Sequence, residues 1–376
     1  MLKGIHLTLM IGPVVPVPVP QVVLDALTSV QVMTTSGETA SGFELTFTLS
    51  NRSPLHTLFL LTGGAGIPIV RVIIIVTING MPQVLMDGVM THHEVQPGSS
   101  AGQSTLTVKG KDLTALMDFI PFDGVPYPAM PPAVRVLLVL AKYAAFGIVP
   151  LVIPSVIEDL PLPVEHIPRQ QGKDLGYIQQ LADEAGYVFY LDPGPAPGMN
   201  VAYWGPEIKV GVPQPALNIN LDAHTNVESL SFTFDKESKE MPIVFIQNQA
   251  TKIPIPIPIP DITPLNPPLG LVPPLPPKIT FLDYTANLSP LQAALHGLAY
   301  ASQHADAVSG TGSLDVLRYG RVLKARQLVG VRGAGPAFDG LHYVKSVTHN
   351  LKRGEYKQNF TLSRNGLLST LPQVPA

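Results

Sequence analysis

Alternation of apolar and polar side chains predicts β-strands over much of the first hundred residues. Residues 43–49 carry an apolar side chain at every second position, which is the period of a half-buried strand. Residues 70–78 are rich in β-branched side chains, and Asn79-Gly80 suits a tight hairpin because both residues tolerate positive φ. We therefore predict strands across 21–50 and 70–109, gathered in a small barrel or sandwich.

Helical spacing of apolar residues appears in the middle of the chain. Asp112 is suited to cap a short helix over 113–118, and a longer helix is predicted over 133–146. The stripe expected to be buried on the longer helix consists of Val134, Leu137, Leu138 and Ala141. Gly147 lies just past its end, where a left-handed residue is favoured, and Pro150 prevents its continuation.

A further helix is predicted between Asp174, a natural N-cap, and Gly186, which suits the left-handed position after a helix. Its expected buried face consists of Leu175, Ile178, Leu181, Ala182 and Ala185. Strands over 187–191 and 199–204 follow it. This order of elements predicts a small α/β unit made of a helix and a hairpin.

The rest of the chain is β-rich, with one interruption. Strands are predicted at 227–234, 242–249, 316–322, 328–332, 341–351 and 356–363. Between them, residues 253–277 contain eleven prolines in 25 residues, which predicts an extended polyproline II segment serving as a spacer or a strap over the surface. Ser289 then opens a helix with a capping-box pattern, and its expected buried face consists of Leu291, Leu295, Leu298, Ala299 and Ser302.

Composition narrows the class of protein. Only 14% of the 376 residues are charged and 45% are hydrophobic, which excludes an intrinsically disordered chain. The 24 basic residues are balanced by 27 acidic ones, so no specific binding of nucleic acid is expected. The absence of cysteine excludes disulfides and thiolate zinc sites. One way to tolerate so few charges is to bury surface against other subunits.

No signal peptide or membrane span is expected from the two most apolar segments. Prolines at 13, 16, 18 and 20 break the N-terminal one. The apolar stretch at 134–153 is interrupted by Lys142, Gly147 and Pro150, and it predicts a buried helix followed by an extended piece.

Several motifs resemble those of one protein family. In the last hundred residues they are GSLDVLRYG at 312–320, LVGVRG at 328–333, FDGLHYVKSVTH at 338–349 and RGEYKQNFTLSR at 353–364. Earlier segments agree in order and spacing, namely LMDGVMTH at 85–92, TLTVKGKDL at 105–113 and the unit from GKDL at 172–175 to Tyr190. Together they resemble phage late control protein D, the baseplate hub of contractile tails, with relatives in extracellular injection systems and in type VI secretion spike proteins.

The resemblance implies an α+β, mainly β fold with two small β-barrel hub domains and an α/β layer, assembled as a homotrimeric ring with pseudo-sixfold symmetry. The implied domains are a first barrel at 1–118, an α/β domain at 119–210, a split second barrel at 211–250 plus 309–367, a Pro-rich and helical insertion at 251–308, and a tail at 368–376. The implied partners are a spike protein below, an inner tube protein or tube initiator above, and other baseplate proteins. Such a hub is expected to assemble in the bacterial cytoplasm and to become part of a phage tail or extracellular contractile particle.

Two other functions remain open at this point. A type VI-like spike or effector-delivery protein would require a C-terminal needle, and the sequence ends at Ala376, soon after the last predicted hub strand. A cell-wall hydrolase carried on the baseplate would require two acids across a cleft. The paired carboxylates are Glu158-Asp159, Asp183-Glu184 and Asp235 with Glu237. Nothing in the sequence places any pair in a cleft, so we expect a structural protein rather than an enzyme.

No catalytic, cofactor-binding or metal-binding residue is predicted, and no cofactor. Histidines 92 and 93 are adjacent, 342 and 349 lie seven apart in a strand, and 296 and 304 lie eight apart on a helix. These spacings do not favour metal ligation, and surface or interface histidines are expected. The glycine-rich Gly63-Gly64-Ala65-Gly66 lacks the features of a phosphate loop and predicts a mobile loop. Five basic residues, Arg318, Arg321, Lys324, Arg326 and Arg332, are expected in interface ion pairs or on one side of a ring.

Overall fold

The computed structural model describes residues 4–13, 15–37, 39–49, 55, 69–98, 104–155, 167–247, 254–259, 266–274, 278–282, 290–371 and 374. Structural statements below refer to these residues. The pair Glu158-Asp159 and the glycine-rich residues 63–66 lie outside them.

The first β region is made of antiparallel strands. Its strands are β1 (Ile5–Gly12), β2 (Val17–Pro18), β3 (Leu27–Thr35), β4 (Gly42–Leu49), β5 (Arg71–Ile78), β6 (Met81–Gln96) and β7 (Ser104–Asp112). The predicted hairpin at Asn79-Gly80 is confirmed, since both residues have positive φ between β5 and β6. The strand prediction is wrong at its start, because Gln21–Ala26 forms a short helix, α1.

A small α/β region follows. After a 3-10 helix at Leu113–Asp118 it contains α2 (Pro132–Ala141), a 3-10 turn at Ala144–Phe146, β8 (Ile148–Val152), α3 (Asp174–Ala185), β9 (Val188–Pro193) and β10 (Asn200–Gly205). Strand β10 lies between β8, which is parallel to it, and β9, which is antiparallel. The predicted helix-and-hairpin unit is confirmed, and β8 is added to it.

The remaining elements form a second β region and an insertion. They are β11 (Gln214–Asn218), a 3-10 turn at Asp222–His224, β12 (Ser229–Phe234), β13 (Glu240–Gln247), β14 (Pro254–Pro258), β15 (Gly270–Val272), β16 (Lys278–Phe281), α4 (Pro290–Gln303), β17 (Val308–Asp315), α5 (Val316–Tyr319), β18 (Leu328–Arg332), β19 (Gly340–Lys352), β20 (Glu355–Arg364) and β21 (Leu367–Ser369). The predicted strand at 316–322 is wrong. Asp315 accepts hydrogen bonds from the backbone N–H groups of Leu317 and Arg318 and starts α5 instead.

One continuous sheet joins the two β regions. Its order is β12-β17-β20-β19-β3-β4-β7-β6-β5-β1-β2, with β18 pairing β19 and β11 pairing β18. Strands β3 and β19 pair from Ser29↔Lys352 to Thr35↔Ser346. A shared hydrophobic core includes Phe47 and Val76 of the first region and Val329 and Phe360 of the second. The described strands follow an open path and do not close into the two separate barrels that the resemblance implies.

The insertion leaves and rejoins this sheet at adjacent strands. Strands β12 and β17 pair from Ser229↔Ser313 to Phe234↔Val308, so the chain between Phe234 and Val308 departs and returns at one point. Within it, β13 lies at the centre of a three-stranded sheet between β14 and β16. Its buried face packs on α4 through Val244 and Ala293.

The proline-rich segment departs from the polyproline II prediction. Residues Pro254–Pro258 form β14, an edge strand antiparallel to β13, with Val244 opposite Ile257 and Ile246 opposite Ile255. Strand pairing is compatible with this sequence because isoleucine and proline alternate. Along a strand the backbone N–H groups point alternately to its two sides. The N–H groups of the isoleucines therefore point at β13, and the proline nitrogens, which carry no hydrogen, point to the unpaired edge. Further along, β15 pairs with β21, so the predicted strap crosses back to the second β region.

Candidate functional site

A buried ion pair joins the first β region to the α/β region. The guanidinium of Arg71 on β5 donates to both carboxylate oxygens of Asp87 on β6, each at 2.7 Å. Its Nη2 also donates to the carbonyls of Phe146 (2.9 Å) and Gly198 (3.0 Å), while the Asn200 side chain donates to Asp87 at 2.8 Å. The charged groups are thus fully hydrogen-bonded, which a buried pair requires. This arrangement fixes the α/β region against the sheet.

Arg326 joins all three parts of the chain. Its Nε donates to the carbonyl of Thr35 on β3 at 2.7 Å, and its Nη1 pairs with Asp192 on β9 at 3.1 Å. The guanidinium lies 3.9 Å from the ring centroid of Tyr190. The expectation of an intersubunit ion pair is therefore wrong for Arg326, whose partners are within its own chain. Arg318, Arg321 and Lys324 are exposed, and Arg332 is half-buried, donating through Nε to the Val374 carbonyl at 3.1 Å.

A second buried ion pair ties the end of the insertion to the α/β region. The Nζ of Lys209 lies 2.9 Å from both carboxylate oxygens of Asp306 and 3.2 Å from Glu207. Burial alone would lower the pKa of Lys209, but the Asp306 and Glu207 carboxylates outweigh it and raise that pKa. The ammonium stays charged, and the position of the chain after α4 is fixed.

The second helix, α2, presents apolar side chains to solvent. The stripe predicted to be buried is wrong, because Val134, Leu137 and Leu138 are 39%, 40% and 46% exposed. The buried face is formed by Ala133, Val136, Val139 and Leu140, which pack in the α/β core. The periodicity of such a uniformly apolar helix does not distinguish one side from the other.

Other elements also expose apolar surface. On the insertion sheet, Ile279 and Phe281 of β16 are 56% and 58% exposed. They lie opposite Met241 and Ile243, on the face of the sheet that points away from α4. At the ends of the main sheet path, β12 and β2 each pair with only one described strand, and β8 is an edge strand of its own sheet. Exposed edges of this kind are sites where another chain can pair.

A groove of about 790 Å³ lies between α3, α4 and β9. Apolar side chains in its walls include Ala182, Phe189, Leu295, Leu298 and Ala299. The face predicted to be buried on α4 is thus divided: Ala299 is buried, Leu295, Leu298 and Ser302 are half-buried, and no side-chain statement is made for Leu291. The most buried positions include Ala293 and Ala301 instead.

The predicted cap at Asp174 is wrong. Lys173 is the N-cap and makes no side-chain cap bond, while Asp174 is the first residue of α3 and is fully buried. Its carboxylate accepts hydrogen bonds from Lys142, Tyr143 and Gln170 at 2.6–2.8 Å. The buried face of α3 predicted from its spacing holds for Ile178, Leu181 and Ala182, with Leu175 and Ala185 half-buried.

Two histidines expected at surfaces are core residues. His342 and His349 are buried on β19, and burial lowers the pKa of each to about 3, with the Arg364 guanidinium contributing at His342. His349 Nδ1 lies 2.8 Å from the Tyr356 hydroxyl, whereas His342 packs against Phe232, their ring centroids 5.1 Å apart. His92 and His296 are exposed, and His93 and His304 are half-buried.

Among the described residues, few side chains are grouped as catalytic or metal-binding residues usually are. No group of three or more histidine, cysteine or acidic residues there could hold a metal ion. Asp183 and Glu184 lie on the exposed side of α3, and Asp235 accepts a hydrogen bond from the backbone N–H of Glu237 in a turn. No described helix has the length and apolar character needed to cross a membrane.

Known structures share this fold, although no family model and no curated protein sequence matches the chain. A tail protein from Neisseria meningitidis MC58 matches with a TM-score of 0.62 at 14% identity, over 97% of this chain and 98% of that one. A 43 kDa tail protein of prophage MuSo2 from Shewanella oneidensis matches with a TM-score of 0.61 at 13% identity, over 96% and 98%.

A type VI secretion component of E. coli, described as similar to the T4 phage tail proteins gp27 and gp5, also shares the fold. It matches with a TM-score of 0.53 at 12% identity, over 93% of this chain and 77% of that one. This chain therefore has the fold of phage tail proteins and of a type VI secretion component. The mainly β character implied by the resemblance is confirmed, whereas two closed barrels are not found among the described strands.

Sequence reasoning missed most of the residues that join the three parts, although it named Arg326. Arg71, Asp87 and Asn200 were not singled out, although Asp87 falls inside the motif at 85–92. A charged residue at the start of the apolar run 69–78 was the available signal, since a buried charge requires a partner.

Proposed function

We propose that this chain is the structural hub of a contractile tail or injection particle. Three copies would link a trimeric spike to the hexameric inner tube and start tube assembly. The observation that carries the proposal is the end-to-end match of fold with a tail protein, over 97% of this chain and 98% of the other.

The arrangement of the main sheet supports a change of symmetry between spike and tube. The chain carries two β regions side by side, joined where β3 pairs with β19. Three copies would then present six β regions around a central channel, a number that suits both a threefold and a sixfold neighbour. The proposed domain boundaries are those given above, except that the insertion begins after Phe234, because β13 pairs with β14 and β16 and not with the main sheet. The insertion would lie outside the ring of β regions.

The composition fits an assembled chain. Exposed apolar side chains occur on α2, on β16 and on the edge strand β8. Contact with other subunits would remove this surface from water, and burial of apolar area stabilises association. The low charge content of the sequence therefore has a physical cause in the assembly.

Partners and location follow from the same proposal. One chain of a PdpA-VgrG complex from Francisella matches this chain with a TM-score of 0.61 at 9% identity, over 60% of that chain. For this chain we propose a spike protein and a tube protein as direct partners, other baseplate proteins around them, assembly in the bacterial cytoplasm, and no enzymatic activity.

Reconstitution tests the proposal. The chain should co-purify with the spike and tube proteins encoded beside it, and electron microscopy should show a threefold ring between them. Binding of neither protein would overturn the hub role. A zymogram on cell wall tests the non-enzymatic role separately, because clearing by the purified chain would support the hydrolase alternative.

A further inference from the structure

One face of the second β region is built from hydroxyl side chains. Strands β12, β17, β20 and β19 lie side by side in the main sheet, and their outward positions carry serine, threonine and asparagine. A shallow hollow of about 510 Å³ lies over these positions. The hydroxyl face is defined by six of its residues, which pair across strands at 2.6–2.9 Å: Ser229 with Ser313, Ser231 with Thr311, and Ser346 with Thr361.

The opposite side of the same strands forms part of the shared hydrophobic core. Leu314, Val347 and Phe360 are buried there, and each is next in the chain to an outward polar residue. This alternation assigns the hydroxyl face to the solvent side of the sheet. Ser231 and Thr311 are exposed in the middle of the face, so the described part of the chain leaves it open.

The same polar surface continues into the first β region. Asn350 of β19 lies opposite Gln31 of β3, and outward positions of β4 and β7 carry threonines. Glu44 and Lys109 also lie on this surface, and they neutralise each other across their two strands at 3.0 Å. The hydroxyl face and its continuation therefore span the joint between the two β regions.

The hydroxyl face lacks the side chains that usually hold a partner. Among the described outward residues at 229–233, 309–313, 346–350 and 359–361, none is charged or aromatic. Protein interfaces are enriched in aromatic and arginine side chains, and nucleic acids are held by basic residues and aromatic stacking. The paired hydroxyls also satisfy part of each other's hydrogen-bonding capacity. Such a surface stays hydrated and binds neither protein nor nucleic acid tightly.

We propose that the hydroxyl face lines the central channel of the assembled ring and lets a polymer pass without adhering to it, an inference that rests on the proposed trimeric hub. A channel wall must remain in water after assembly, whereas surfaces that contact the spike, the tube or a neighbouring copy leave water. The exposed apolar residues on α2, β8 and β16 suit such contacts, because burial of apolar area stabilises association. The hydroxyl face suits the channel wall.

An outer wall also remains in water and is the competing location. A surface that faces bulk solvent normally carries charged residues, because net charge keeps a protein soluble. In the second β region, exposed charges lie outside the four strands of the hydroxyl face, on Arg318, Arg321 and Lys324. The distribution of charge therefore favours the channel over the outer wall for the hydroxyl face.

Accessibility of a single cysteine tests this location without background, because the chain has no cysteine. Thr311→Cys is assembled with the spike protein encoded beside the chain and treated with N-ethylmaleimide or with a maleimide joined to a large dextran. Both reagents should label the single chain. In the ring, N-ethylmaleimide should still enter the channel at the end away from the spike, whereas the dextran reagent should label at least tenfold more slowly.

A cysteine on the insertion is the matched control. Lys236 is exposed in the turn that follows β12, on the part of the chain proposed to lie outside the ring. Lys236→Cys should therefore react with both reagents in the single chain and in the ring.

The other labelling results separate this inference from the hub proposal. Rapid labelling of Thr311→Cys by the dextran reagent in the ring would place the hydroxyl face on the outer wall. Protection from both reagents would place it in a subunit contact. Either result would overturn the inference and leave the hub proposal standing, whereas a chain that forms no ring with its spike protein would overturn both.

DNA retention tests the neutral character of the wall. The wild-type ring should bind duplex DNA at least tenfold more weakly than a ring with Thr311→Lys and Asn359→Lys, because added lysines attract phosphates. Circular dichroism and native mass spectrometry check that the variant is folded and forms the ring. Equal DNA binding by the wild-type and lysine rings would overturn the proposal of a wall that does not adhere.

Discussion

Arg71 and Asp87 form a two-pronged ion pair in which both hydrogen bonds measure 2.7 Å, and both side chains are buried. Removing one partner leaves the other charge buried without compensation, which typically costs 3–5 kcal/mol. We expect Asp87→Ala to lower the free energy of unfolding by about 3–5 kcal/mol. Urea unfolding of the chain, at a concentration too low for assembly, measures the change.

An exposed pair in the same sheet is the matched control. Lys109 and Glu44 lie 3.0 Å apart with both side chains exposed. Because water screens such pairs, Glu44→Ala should cost less than about 1 kcal/mol. Equal losses in Asp87→Ala and Glu44→Ala would contradict the assignment of Arg71 and Asp87 as a structural joint.

The two buried histidines predict a loss of stability in acid. Burial holds the pKa of His342 and of His349 at about 3, below the ordinary value of 6.5. The unfolded chain then binds more protons than the folded one between these values. Stability is therefore fully present above pH 6.5 and falls as the pH drops toward 3, by about 1.4 kcal/mol per pH unit for each histidine.

Urea midpoints at pH 7, 6 and 5 measure this dependence. Replacing one of the two residues, as in His342→Leu, should remove about half of the histidine contribution to the slope, because the unfolded chain then gains one proton fewer. A midpoint that does not change between pH 7 and 5 would show that neither histidine is buried in its neutral form. A His342→Leu variant that keeps the full slope would show this for His342 alone.

Two glycines of the α3 segment should respond in opposite ways to alanine. Gly186 has a φ of +66°, and an added Cβ would lie 2.5 Å from the backbone of α4 at Ala299. We expect Gly186→Ala to destabilise the chain, by roughly 1–3 kcal/mol from overpacking. Gly176 lies inside α3 with nothing within 4 Å of an added Cβ, so Gly176→Ala should stabilise by about 0.5–1 kcal/mol. Thermal unfolding of the two variants compares them, and a Gly186→Ala chain as stable as wild type would exclude the close approach of α3 and α4.

The alternating isoleucines and prolines of β14 give a test of its pairing. Ile257→Pro removes an N–H that the antiparallel register directs at β13, whereas Pro256→Ala changes only the free edge. Amide exchange of Val244 and its neighbours on β13 should accelerate in Ile257→Pro and stay slow in Pro256→Ala. Unchanged amide exchange in both variants would indicate that residues 254–258 form an unpaired polyproline II segment and not a strand.

Much of the fold follows from local sequence signals. The hairpin at Asn79-Gly80 depends on residues that tolerate positive φ, and α3 is terminated by Gly186, whose left-handed conformation satisfies the last carbonyls. These signals act within a few residues, so one sequence is sufficient to recognise them. The motifs at 312–364 also carried the resemblance that the shared fold confirms.

The tertiary arrangement is less accessible to sequence reasoning. Whether the apolar stripe of α2 faces the core or a neighbour depends on which side the rest of the chain covers, and no local pattern contains that information. His342 and His349 were expected at a surface because their type is polar, although β19 lies at the centre of the sheet. The pairing of Ile255 and Ile257 with β13 depended on a partner strand that proline content alone does not reveal.

Native mass spectrometry of the chain mixed with the spike protein encoded beside it tests the central claim most directly. The hub account predicts a complex that contains three copies of the 40.2 kDa chain bound to one spike trimer. A single 40.2 kDa chain that binds no spike at any concentration tested would contradict it.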